Sequence, residues 1–148
     1  MKSTLDDESG KLSIFLGRWK IIGQDVRPDS NEVKIEGEEV YEWLPGAPLL
    51  VNNWSKTIGE MSRKGTGIIG QNFSHHACSS NIDEYGVYTQ TYYIEPDSHT
   101  WTFSSDRERI SIQFNEDASE FVQKWESSSD GINWTSTWNI TGTKLKPV

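Results

Sequence analysis

One cysteine, few cations and no apolar run long enough to cross a bilayer narrow what this chain of 148 residues can be. Cys78 cannot close an internal disulfide, which fits a reducing compartment. Fourteen Lys+Arg against 22 Asp+Glu leave a formal charge of −8, which repels phosphate backbones and anionic lipid, so neither nucleic acid nor a membrane is an expected partner. The opening "MKSTLDDESGKLSIFLGRW" has one short apolar run, Ile14 to Leu16, behind acidic residues; neither a secretory signal nor a spanning segment is expected, and a cytoplasmic location is. Missing too are a Gly-x-Ser-x-Gly elbow and a phosphate loop. These absences leave no nucleophile with a base that sequence can name.

Hydrophobic residues make up only 34% of the chain while aromatics reach 11%, so the core must rest on a few large side chains, as in a small sheet protein with a polar exterior. From about Ser3 to Leu16, Leu5, Leu12, Phe15 and Leu16 fall near helical spacing, with Asp6, Asp7 and Glu8 where a helix N-terminus favours acids. Beyond Gly17 no stretch keeps that period. Short aromatic and β-branched runs alternate instead with turn clusters such as "LPGAP" at 44–48 and "EPDS" at 95–98, which predicts about nine or ten strands. Val33, Ile35, Gly37, Glu39, Tyr41 and Trp43 share one face of a strand whose other face carries Lys34, Glu36, Glu38 and Glu42. Ile110, Ile112 and Phe114, and Trp101 and Phe103, alternate in the same way. With no helix between strands, neighbouring hairpins are the natural connection, and the dry faces must be hidden in a barrel or a sandwich.

Three of the seven tryptophans crowd into "WESSSDGINWTSTW" at 125–138. Asp-Gly is a strong two-residue hairpin signal. With Asp130 and Gly131 as that loop, Ser127 faces Trp134, Trp125 faces Ser136, Gln123 faces Trp138 and Phe121 faces Ile140, all on one side. The other side carries Glu120, Val122, Lys124 and Glu126, so the rings, Trp134 included, are expected to point inward rather than to form a stacking platform. "SSDGINW" also resembles the Asp-box hairpin of β-propeller sialidases; one copy carries over the hairpin and not the propeller.

"FLGRW" at 15–19 resembles the Gly-x-Trp opening of lipocalin-like (calycin) barrels. With "YEWLPGAPLLVNNW" at 41–54, "GIIGQN" at 67–72, "HTWTF" at 99–103 and "WESSSDGINW" at 125–134, the ordered set is similar to a bacterial family of lipocalin-like domains of uncharacterised function. The resemblance implies an all-β, antiparallel up-and-down barrel like the ten-stranded fatty-acid-binding or nitrobindin type, with residues 1–16 as a helical plug and 17–146 as the barrel of a single domain. It implies no catalytic residues.

Barrels of this size are packed solid or hold one small ligand. The inward phases carry Trp19, Trp43, Trp54, Trp125 and Trp138, with Glu39, Asn52 and Gln123 as polar groups and Gly23 and Gly37 as positions that leave room. These eight side chains are the candidate ligand-binding residues for a small apolar or aromatic molecule. An isolated inward Glu39 would have a raised pKa, so an enzyme using it as acid or base is a second reading. A homodimer through an exposed strand or the "LPGAP" rim is a third. His75, His76, Cys78 and His99 could supply metal or haem ligands. Yet no carboxylate stands at ligand spacing, no histidine follows His99, and Trp19 is followed by Lys20, Ile21, Ile22 and Gly23 where nitrobindin-type haem proteins carry a Gly-x-Trp-x-Gly-x-Gly opening, so neither metal nor cofactor is expected.

Overall fold

The computed structural model describes residues 12–46, 48–71, 77–97 and 99–146. Ten strands run in chain order: β1 (Gly17–Asp25), β2 (Lys34–Trp43), β3 (Leu50–Ile58), β4 (Met61–Gln71), β5 (Ala77–Asp83), β6 (Tyr88–Asp97), β7 (Thr100–Ser104), β8 (Glu108–Phe114), β9 (Glu120–Ser127) and β10 (Thr135–Lys144). Each pairs antiparallel with its sequence neighbour, and β1 also pairs β10, with Trp19 opposite Lys144 and Asp25 opposite Trp138. The sheet thereby closes into an up-and-down barrel without free edges. Among the described residues no helix is long and apolar enough to cross a membrane.

The expected N-terminal helix lies mostly outside the described residues; what is described of it is a single 3-10 turn, Ser13–Phe15. That turn plugs one end. Phe15 is buried with its ring centroid 5.1–5.3 Å from those of Tyr41, Trp101 and Phe114. Trp19 donates from Nε1 to the Phe15 carbonyl at 2.8 Å and packs on Phe121 at 5.0 Å. Leu12, Leu50 and Ile69 complete this closed base.

The inward phases follow the alternation. On β2, Ile35, Glu39 and Tyr41 are buried and Lys34, Glu36, Glu38 and Glu42 exposed; on β9, Phe121 and Gln123 are buried between exposed Glu120, Val122 and Lys124. The β9–β10 turn differs from the two-residue loop. Gly131 alone of the pair has positive φ, and the Asp130 carboxylate instead accepts from the backbone N–H groups of Ile132 and Asn133, each at 2.8 Å. Those bonds hold the Asp130 carboxyl well below its usual range. The connection therefore spans 128–134, Ser127 pairs Thr135, and a bulge between Ser136 and Trp138 sets Trp125 opposite Trp138. Trp125 and Trp138 face inward as expected. Trp134 does not: it lies in the turn under the Arg109 guanidinium, 4.4 Å from the ring centroid.

Gly23 and Gly37 open no space. A Cβ at Gly23 would sit 2.3 Å from the Asn139 carbonyl oxygen, and one at Gly37 2.0 Å from that of Ser55. Both mark close approaches of the adjacent strand.

At the end of β1, Asp25 is buried and accepts from the Arg27 N–H and Nε at 3.0 Å and from Arg27 Nη2. The guanidinium lowers its pKa. A depressed carboxylate stabilises the fold above its unfolded value of about 3.9 and loses that contribution as pH falls through the folded value. Asp25→Asn is accordingly expected to cost about 1–3 kcal/mol at neutral pH. In urea titrations the gap from the native chain should close in strong acid; a gap indifferent to pH would show that the charge is not what matters.

Candidate ligand-binding cavity

Inside the barrel, above the plug, is a cavity of about 260 Å³. Its floor is Phe15, Tyr41, Ile69, Phe103 and Ile112, all buried. Its upper wall is Ile58, Ile110, Trp54, Trp125 and Trp138, all half-buried, so the cavity opens at the end away from the plug. The Trp125 and Trp138 centroids are 5.1 Å apart. Glycines on β4 let neighbouring side chains pack close: a Cβ at Gly65 would meet the Trp54 ring at 2.4 Å, and one at Gly67 the Asn81 side chain at 2.3 Å.

A buried ion pair crosses the middle. Lys56 Nζ lies 3.2 Å from Glu39 Oε1, and the Tyr41 hydroxyl donates to Glu39 Oε2 at 3.1 Å. Glu39 is therefore not the isolated carboxylate expected of it, because Lys56 reaches it from the neighbouring strand. Burial first, and the adjacent Glu39 charge second, push the Tyr41 hydroxyl well above its ordinary pKa, which keeps it a donor. The ammonium also lies 5.3 Å and 5.5 Å from the ring centroids of Trp54 and Trp125, within cation–π range. Gln123 accepts from Trp125 Nε1 at 2.7 Å, fixing that ring. Asn52 Oδ1 is buried without a hydrogen-bond partner among the described residues, leaving one amide on the lining to be satisfied.

Of the eight candidate residues, Glu39, Asn52, Trp54, Gln123, Trp125 and Trp138 line this cavity. Trp19 is sealed into the base instead, with no exposed surface, and Trp43 is half-buried against the core at the same end. Lys56 was not expected, although it stands on the same phase of β3 as Leu50, Asn52, Trp54 and Ile58; so does Glu108, two residues before Ile110 on β8. His75, His76 and the Cys78 side chain lie outside the described residues. Among the described residues no three His, Cys, Asp or Glu side chains come together to hold a metal ion. A second, open groove of about 510 Å³ runs over the outer wall past Glu38, Val40, Lys64 and Ile82. It lacks the enclosure of the interior.

No family model matches the chain, and no curated protein does. The chain is similar in structure to Rv2717c from M. tuberculosis, with a TM-score of 0.67 at 13% identity over 93% of this chain and 96% of that one. It is also similar to the S-type phycobiliprotein lyase CPES from Guillardia theta, with a TM-score of 0.58 at 7% identity over 99% and 100% of the two chains. A de novo designed fluorescence-activating β-barrel gives 0.51 at 10% identity over 90% and 95%. The fold is that of a lipocalin-like β-barrel.

Proposed function

We propose that this chain binds a small apolar or aromatic molecule inside the barrel, between Trp54, Trp125 and Trp138. The observation that carries the reading is the cavity itself: about 260 Å³, with aromatic and aliphatic side chains interleaved with polar ones, and with Asn52 Oδ1 left without a partner among the described residues. Such a volume falls just below the range of drug-sized ligand sites, which run from about 300 Å³ upward, and suits a compound of one ring or a short chain. The lone cysteine supports a cytoplasmic setting. Chemistry at Glu39 has less support, since Lys56 and Tyr41 engage both of its oxygens.

Three tryptophans on the wall make the test optical. Indole and similar single-ring compounds are expected to shift tryptophan emission saturably and to raise the melting temperature, by the equivalent of about 2.7 kcal/mol at a hundredfold excess over Kd. Ile110→Trp, which fills the upper cavity, should abolish both effects while the barrel still melts cooperatively. If no compound of a broad lipophile library moves either signal, the interior is not a binding site.

A further inference from the structure

The cavity lining carries two acids, Glu39 and Glu108, and two bases, Lys56 and Arg63, and they are not all paired with one another. Glu39 and Lys56 neutralise one another. Arg63 is held by two acids, donating to Glu84 Oε1 and Asp83 Oδ2 at 2.8 Å each. Glu108 has nothing: its carboxylate makes no hydrogen bond or ion pair among the described residues, although it lines the cavity. Its backbone is fixed to Ser105 and paired with Ser127, so the side chain is held on the inward phase with Ile110. Burial pushes its carboxyl above the usual range. A half-buried carboxylate without a counter-charge gains most from a cation.

We propose that the cavity selects a compact organic amine, whose ammonium pairs with Glu108 at the mouth while its apolar body lies among Trp54, Trp125 and Trp138. This deepens the ligand-binding reading and rests on it. The chain's charge of −8 adds a field that draws cations and repels carboxylates of the same shape. Lys56 does not reverse the preference, because its charge is already satisfied by Glu39.

The probes are 2-phenylethylamine, 2-phenylethanol and phenylacetate, similar in shape and differing in charge, titrated by calorimetry at neutral pH. The amine is expected to bind at least about tenfold tighter than the alcohol, and phenylacetate weakest, tenfold being about 1.4 kcal/mol. Glu108→Gln should bring amine and alcohol to within about threefold, with a cooperative melt like that of the native chain showing the variant to be folded. Glu108→Lys should turn the order round in favour of phenylacetate. Equal affinities in the native chain, or an amine preference that survives both substitutions, would overturn the amine inference and leave the cavity as a binding site. Failure of all three probes together with the lipophile library would overturn both.

Discussion

Lys56→Met is expected to destabilise the barrel by about 3–5 kcal/mol, because it leaves the Glu39 carboxylate in the interior without its counter-ion. The loss does not measure what the ion pair contributes. Removing both charges at once, in Lys56→Met with Glu39→Gln, should recover most of the stability, since a neutral pair spares the desolvation of two ions. Chemical denaturation of the two single variants and the double variant closes the cycle, with a coupling of about 2 kcal/mol or more expected for groups in direct contact. Additive losses would mean that the pair does not interact as its 3.2 Å separation implies. Tyr41 shares the Glu39 carboxylate, so Tyr41→Phe in the same background should show a smaller coupling of the same sign.

Trp19→Ala should cost about 3–5 kcal/mol, a large share of the roughly 5–15 kcal/mol that holds a domain together. The side chain is fully buried against Phe114 and Phe121, and its Nε1 ties the Phe15 carbonyl to the barrel. Trp19→Phe keeps a ring but drops that bond, at a cost of about 1–2 kcal/mol. Because Phe15 is part of the cavity floor, both variants should also speed amide exchange at Phe15 and Leu16. Exchange there that is unchanged in the alanine variant would show that the plug does not depend on Trp19.

Much of this is legible from a period of two. The alternation in β2, β8 and β9 places Ile35, Glu39, Tyr41, Ile112, Gln123 and Trp125 inside without knowledge of any contact. The same rule applied to "LVNNWSKTI" puts Lys56 inside with Asn52 and Trp54, and applied to "ERISIQF" it does the same for Glu108. Lysine and glutamate ordinarily face water, and that habit of residue type hides the two charges on which the electrostatics of the cavity turn. Trp134 departs from expectation for a different reason. Asp-Gly promises a tight loop, but the Asp130 side chain captures the N–H groups that follow it, lengthening the turn and leaving Trp134 outside. The bulge after Ser136 then restores the phase for Trp138, a compensation decided between strands and invisible within either one. Gly23 and Gly37 are alike in this: a glycine on an inward phase can mark a space or a close approach, and only the neighbouring strand tells which.

A guest within the barrel and a guest on its outer wall touch different isoleucines. With the isoleucine methyls labelled, nuclear Overhauser contacts from a bound single-ring probe report which side of the sheet it touches. Contacts to Ile58, Ile110 and Ile112 are expected, with none to Ile82 or Ile68, which are exposed on the outside. Contacts confined to Ile82 and its neighbours in the outer groove would contradict the account.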